Sequence, residues 1–153
     1  MSEFETHRAL GIDYGSTRIG LAVSDPSGTI ATGLKTIKNS HSAYDEIARI
    51  VAENDITVIV IGLPVPLKGG DSKKTQEVRR FRSELQNTVN VPIVFQDERY
   101  TSKDAMDTMI SMNTTRKQRR DKGRIDEMAA ALILQYFLDE NRKAQNEDTN
   151  GRE

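Results

Sequence analysis

A run of β-branched residues extends almost without interruption from Ile56 to Gly62. Such a run is typical of a strand that is covered on both faces, because both sets of alternating side chains are then buried. Residues at helical spacing precede the run and follow it; they are Ala43, Ile47, Ile50 and Val51 before it, and Val78, Phe81 and Leu85 after it. The chain is therefore predicted to form an α/β fold with helices on both faces of a sheet.

Three further strands are predicted ahead of this run, at residues 8–14, 18–25 and about 30–37. Short turns join them, and strands joined in this way pair in an antiparallel meander. Residues 91–97 form another buried strand, which a helix separates from the Ile56 run. Because helix–strand alternation requires right-handed crossovers, the later strands add in parallel. The prediction is a five-stranded mixed sheet, with three antiparallel strands followed by parallel strands.

The C-terminal part is predicted to be helical. Thr101 with Asp104 resembles a capping box, and the apolar residues that follow continue that helix to Ile110. A second apolar stripe begins at Ile125 and ends at Tyr136. We expect a flexible N-terminal lead at 1–7, one domain at 8–138, and a fraying helix end with a disordered tail at 139–153.

Composition excludes several classes of protein. The chain has 153 residues and no cysteine, so disulfides, thiol catalysis and cysteine-based metal sites are ruled out. The 22 basic and 23 acidic residues give a net charge of −1, so any contact with nucleic acid must come from a local patch. The start lacks a secretory signal, and no apolar run approaches the length of a membrane span. A cytoplasmic protein without membrane contact is expected.

Three acidic positions are candidates for chemistry. Asp13 lies in a buried strand, where an unpaired charge is costly; an Asx-type turn before Gly15 is the alternative explanation. Asp97 and Glu98 follow the fifth strand at its C-terminal end, where ligands gather in α/β sheets, although a surface ion pair with Arg99 would also account for them. Asp126 begins the last helix, where the helix dipole alone favours an acid.

Taken together, these acids can converge on one end of the sheet. A cluster of carboxylates repels itself unless a hard cation neutralises it, and Mg²⁺ or Mn²⁺ prefers such oxygen ligands. Two such ions roughly 4 Å apart can activate a water and stabilise the leaving oxygen in phosphodiester cleavage. The acids therefore indicate phosphoryl-transfer chemistry with one or two Mg²⁺ or Mn²⁺ ions.

A basic segment leads into Asp126. Residues 113–124 carry six cations and one anion, a local charge of +5. A solvated surface is the usual explanation for such a run. Beside an acidic metal site it indicates a clamp for a phosphate backbone. The candidate cations are Arg116, Lys117, Arg119, Arg120, Lys122 and Arg124.

The segment from Gly11 to Asp25 resembles the opening motif of the YqgF family, which is RNase H-like, related to Holliday junction resolvases and associated with pre-16S rRNA cleavage. Later segments resemble the family's other motifs in the same order. They are Gly62-Leu63-Pro64, Asp97-Glu98-Arg99-Tyr100-Thr101-Ser102, and Lys122-Gly123-Arg124-Ile125-Asp126 with Ala129-Ala130. The similarity extends over residues 8–138.

This resemblance implies an RNase H-like fold and a hydrolase: a metal-dependent nuclease that matures the 5′ end of pre-16S rRNA in ribosome biogenesis. It implies that Asp13, Glu98 and Asp126 are both the catalytic residues and the metal ligands. Many RNase H-like proteins place the second acid after the fourth strand, where this chain has Gly62-Leu63-Pro64. The second ligand must then reach inward across two strand spacings, ~10 Å, and Asp97 is a rival to Glu98.

Arg18 and Arg99 join the basic segment as expected nucleic-acid contacts. The expected partner is structured precursor rRNA, and the protein is expected to be a monomer or a weak homodimer. Two alternatives are a Holliday junction resolvase acting on branched DNA, which would need a symmetric dimer, and a non-catalytic RNA-binding ribosome-assembly factor.

Overall fold

The computed structural model describes residues 8–64, 72–98 and 122–150. Its elements are β1 (Arg8–Tyr14), β2 (Arg18–Ser24), β3 (Ala31–Lys38), α1 (Ser42–Glu53), β4 (Ile56–Leu63), α2 (Lys73–Gln86), β5 (Ile93–Asp97) and α3 (Lys122–Asn150). The helix predicted to begin at Thr101 lies outside the described residues. β5 starts at Ile93, two residues later than predicted; Pro92 just before it has no backbone N–H to give to a ladder.

The five strands form one mixed sheet in the order β3-β2-β1-β4-β5. β1 pairs antiparallel with β2 and parallel with β4, so it occupies the centre. β2 and β3 are antiparallel, and β4 and β5 are parallel. The predicted mixed sheet is confirmed, because short turns produced the antiparallel half and helical crossovers produced the parallel half.

Alternation along β1 separates two hydrophobic layers. Leu10 and Ile12 face one side, in a core shared with α1 and α2. Ala9 faces the other side, in a core built with residues 130–138 of α3. Helices therefore cover both faces, as predicted. Asp13 has the same parity as Ala9 and so belongs to the face that α3 covers.

α3 packs closely on this face because several facing strand residues are glycines. A Cβ atom at Gly11 would lie 2.8 Å from both the Ala130 carbonyl oxygen and Leu134 Cβ. A Cβ atom at Gly20 would overlap the Asp126 carbonyl oxygen. These glycines therefore set how deeply the first half of α3 sits on the sheet.

α3 continues past its apolar stripe to Asn150. The fraying helix end and disordered tail expected at 139–153 remain a prediction. At this point Arg142 forms an ion pair with Asp139 three residues earlier, at 2.6 Å, and Gln135 donates to the same carboxylate at 3.1 Å. Side-chain pairs at this spacing support a helix that has no apolar stripe. In the part of the chain that the structure covers, no helix is long and apolar enough to cross a membrane.

Candidate carboxylate site at the carboxyl end of the sheet

Asp13 lies near the C-terminal end of the central strand. It is half-buried and is paired in register with Gly20 of β2. Its pKa is raised from 3.8 to about 7, chiefly because burial penalises the charged form, and further because Glu98 and Asp126 are negative neighbours. The electrostatics therefore connect the three acids that the sequence singled out.

Glu98 reaches this position by turning inward over β4. Leu63 is opposite Asp97 in the parallel ladder, so Glu98 leaves β5 just beyond that level. A Cβ atom at Gly62 would lie 2.6 Å from Glu98 Oε1 and 3.1 Å from its Cγ. The carboxylate thus occupies the space that a side chain at Gly62 would fill. Because Ile61 pairs with Ile12, Gly62 is the neighbour of Asp13 across the ladder.

Strand alternation separates Asp97 from Glu98. Asp97 has the parity of Phe95, which packs against the core shared with α1 and α2. Glu98 has the parity of Val94, which packs against the core under α3. Burial raises the pKa of Glu98, Lys74 lowers it, and the charge of Asp97 raises it further. The charge of Asp97 therefore acts on Glu98 from the other face of the sheet, whereas the Glu98 side chain lies on the same face as Asp13.

Asp126 comes to the site on the second turn of α3. Its backbone presses on Gly20, the residue paired with Asp13. Arg18, on the same face of β2, donates from Nε to Asp126 Oδ2 at 2.9 Å. Both side chains keep some solvent access, 39% for Arg18 and 24% for Asp126. Arg18 therefore forms an ion pair with Asp126, one of the three candidate acids.

The three acids thus lie across three neighbouring strands. Asp126 lies over β2, Asp13 belongs to β1, and Glu98 lies over β4. Among the described residues, no three Asp, Glu, His or Cys side chains are grouped closely enough to hold one metal ion. This spread has a physical reason, because like charges repel and Arg18 draws Asp126 to itself.

Most of the other predicted nucleic-acid contacts lie outside the described residues. These are Arg99, Arg116, Lys117, Arg119 and Arg120. Lys122 begins α3. Arg124, two residues later, is exposed beside Gly33 and Glu127. Arg18 and Arg124 are therefore the candidate contacts whose side chains the structure describes.

Sequence reasoning missed two contributors, Gly62 and Lys74. Gly62 looked like the end of a buried strand, and only pairing with β5 shows that it makes room for Glu98. Lys74, in the first turn of α2, lowers the pKa of both Asp13 and Glu98. The sequence did contain a signal for Lys74, because this residue lies four positions before Val78, on the stripe of α2 that packs against the sheet.

A mixed sheet of this order, with a long C-terminal helix across it, places the chain in the class of RNase H-like folds. Within that class the chain belongs to the family described as "RuvX: Holliday junction resolvase", whose sequence pattern matches residues 7–140. The family resemblance and fold predicted from the motifs are confirmed.

Similar proteins cover most of the chain. A protein of Thermoanaerobacter pseudethanolicus is 40% identical over 134 residues, 86% of this chain and 96% of its own length, and one of Koribacter versatilis is 39% identical over 134 residues, 86% of each chain. Both are named "Putative pre-16S rRNA nuclease". Among solved structures, the fowlpox virus resolvase in complex with Holliday junction DNA has a TM-score of 0.53 at 14% identity, covering 87% of this chain and 97% of that one. That likeness concerns the fold.

Proposed function

We propose that this protein is a metal-dependent nuclease that hydrolyses phosphodiester bonds in precursor rRNA and matures the 5′ end of pre-16S rRNA in the cytoplasm. The observation that carries the proposal is the row of Asp126, Asp13 and Glu98 across the centre of the sheet. The names of relatives about 40% identical over most of the chain support the choice of substrate.

The residues of the site fit a divalent cation. Their donors are carboxylate oxygens, which suit Mg²⁺ or Mn²⁺. The pKa of Asp13 is raised to about 7, chiefly by burial and further by the negative charges of Glu98 and Asp126, while Lys74 acts to lower it. A cation would offset the charge of these acids. Asp13 and Glu98 would hold it, and Asp126 would join them once it leaves Arg18. When bound, the ion supplies Lewis-acid activation of the phosphate and of the attacking water.

The chain's own side chains bring the substrate to that point. Asp13 holds the centre of the site on a strand whose backbone is fixed from both sides by β2 and β4. Arg18 is placed to exchange its contact with Asp126 for a phosphate oxygen of the nucleic acid. Arg99, Arg124 and the cations from Arg116 to Lys122 would track the phosphate backbone, which gives affinity with little sequence reading.

The test is cleavage of a precursor rRNA fragment that spans the 5′ end of 16S rRNA, with Asp13→Asn compared with Asp45→Asn. Asp45 is an exposed acid of α1, away from the site. We expect Asp13→Asn to lose activity by at least about a thousandfold and Asp45→Asn to keep it. Full activity of Asp13→Asn would overturn the proposal.

Parallel assays separate the alternatives. A four-way DNA junction cleaved in preference to the RNA would favour the resolvase activity for which the family is named. That outcome would need a dimer with two sites, which sedimentation would reveal. RNA binding without cleavage by wild type in Mg²⁺ or Mn²⁺ would instead identify an assembly factor.

A further inference from the structure

Lys74 lies on the sheet-facing stripe of α2, although it is a charged residue. Lys74, Val78, Phe81 and Leu85 follow one another at spacings of four, three and four residues, and the last three are buried in the core. Lys74 itself is exposed. Because it belongs to the first turn, its side chain leaves the helix on the side of the sheet but beyond the core, at the end where the carboxylates lie.

The start of α2 is anchored to that end of the sheet. Ser72 caps the helix by accepting a hydrogen bond from the Thr75 backbone N–H at 3.2 Å. The buried Thr75 hydroxyl donates to the Pro64 carbonyl oxygen, directly after β4. Leu63 is level with Asp97, so Pro64 is level with Glu98. The residue next to Lys74 is therefore fixed to the backbone that adjoins Glu98.

The charges agree with this placement. The positive charge of Lys74 is close enough to act on both Asp13 and Glu98. Arg18, the other described cation of the site, is engaged by Asp126. Lys74 is therefore the described cation whose charge acts on Asp13 and Glu98, the two acids outside the Arg18 ion pair.

We propose that Lys74 is a substrate ligand of the carboxylate site: its ammonium group balances Asp13 and Glu98 in the metal-free protein and binds a phosphate oxygen of the nucleic acid once a cation occupies the acids. The proposal rests on the proposed function for the identity of the substrate. An ammonium on a flexible stem suits this exchange, because it has three donors and no fixed orientation.

Lys73 provides a matched control. It has the same charge and exposure, but it lies about 100° around the helix from Lys74, away from the sheet-facing stripe. The variants to compare are Lys74→Gln, Lys74→Arg and Lys73→Gln. All three change exposed side chains, and thermal unfolding would verify that each folds as wild type does.

The first measurement is Mn²⁺ binding by calorimetry, without nucleic acid. Removing a nearby positive charge favours a divalent cation, so Lys74→Gln should bind Mn²⁺ about three- to tenfold more tightly. Lys74→Arg and Lys73→Gln should stay within about twofold of wild type. Equal affinities for Lys74→Gln and Lys73→Gln would overturn the proposal.

The second measurement is the salt dependence of binding to a short RNA with nuclease-resistant phosphorothioate linkages, in the presence of Mg²⁺. Loss of one phosphate contact should lower the slope of log K against log salt by about 0.7 to 1 in Lys74→Gln. An unchanged slope, or the same decrease in Lys73→Gln, would overturn the phosphate contact.

Cleavage then separates the two proposals. If wild type cleaves precursor rRNA, Lys74→Gln should reduce kcat/KM about 10- to 100-fold, and Lys74→Arg should recover most of it. If Lys74 had only a structural role, its substitution would not make Mn²⁺ binding tighter and cleavage slower at the same time. If wild type cleaves no RNA but both binding results hold, the proposed function fails while Lys74 remains a phosphate ligand.

Discussion

The carboxylate of Glu98 lies over Gly62, so an acid from an edge strand of the described sheet reaches toward Asp13 on the central strand. Only a residue without a side chain leaves this space, because β4 lies between β5 and β1. The ~10 Å between β5 and β1 is therefore bridged by a carboxylate that extends over the intervening Gly62. Gly62 belongs to the site as much as the acids do.

Gly62→Ala should damage the site more than the fold. The new Cβ would lie 2.6 Å from Glu98 Oε1 and 2.5 Å from Ile133 Cδ1. Both are ends of side chains and can shift, so we expect a loss of about 1–3 kcal/mol in the free energy of unfolding. The displaced Glu98 should weaken Mn²⁺ binding at least tenfold, which calorimetry would measure. Wild-type Mn²⁺ affinity in this variant would show that Glu98 is not a ligand.

Gly20→Ala should act mainly on stability. Here the obstacle is the backbone of Asp126 rather than a side-chain end, so α3 itself must move. We expect a loss of about 2–4 kcal/mol in urea denaturation. Gly33→Ala is the matched control at the same interface, since its Cβ would lie 3.1 Å from Glu127 Cβ. Equal stability losses in the two variants would contradict this account of how α3 is seated.

Most of the fold could be predicted from local patterns. The buried run from Ile56, the short turns and the helical stripes each depend on neighbours in sequence, and they were sufficient for the mixed sheet. The length of α3 was not predictable from its apolar stripe, because its last turns carry ion pairs such as that of Asp139 with Arg142. Polar helices leave a weaker trace in the sequence than amphipathic ones.

The site was less accessible to prediction. Its three candidate acids could be selected from the sequence because each lies near the start or the end of an element. The choice between Asp97 and Glu98 required strand parity and the neighbour across the ladder, which only pairing of β4 with β5 supplies. The contact between Arg18 and Asp126 joins residues 108 positions apart, and no local pattern encodes it.

Asp13→Asn should make the metal-free protein more stable at neutral pH. The folded pKa of Asp13 is about 7, above its ordinary value of 3.8, so the folded state binds this proton more tightly than the unfolded state. Its stabilising contribution is present below about pH 4 and is lost as pH rises to about 7, by at most about 4 kcal/mol. Asparagine stays neutral, so urea denaturation of the variant should show a smaller decline, with the part that the raised pKa of Glu98 causes still present, and greater stability at pH 8.

Asp25 provides a control, because its pKa is lowered whereas that of Asp13 is raised. Hydrogen bonds from the backbone of Ile30, the hydroxyl of Ser27 and the backbone of Thr29 hold its pKa at about 2. Its contribution is therefore constant above pH 4, and Asp25→Asn should leave the decline between pH 4 and 7 in place. A decline of unchanged size in Asp13→Asn would show that another group causes it.

Mg²⁺ should restore the stability that metal-free wild type loses as pH rises. A cation that binds the folded state alone stabilises it in proportion to the logarithm of its concentration over Kd. Thermal unfolding of wild type at pH 8 should therefore shift upward with added Mg²⁺ or Mn²⁺, while Asp13→Asn should shift much less. Equal shifts in both proteins would place the cation elsewhere.

Arg18→Gln should separate the two partners that compete for Asp126. The ion pair of Arg18 with Asp126 is partly exposed, so its loss should cost less than about 1 kcal/mol of stability. Without the guanidinium, Asp126 is free to turn toward Asp13, and Mn²⁺ should bind about threefold or more tightly in calorimetry. RNA affinity should nevertheless decrease, because the same guanidinium is the proposed phosphate contact. Arg49→Gln, an exposed arginine of α1, is the control and should change neither quantity. If Arg18→Gln weakens Mn²⁺ binding instead, the arginine orients Asp126 for the cation rather than competing with it.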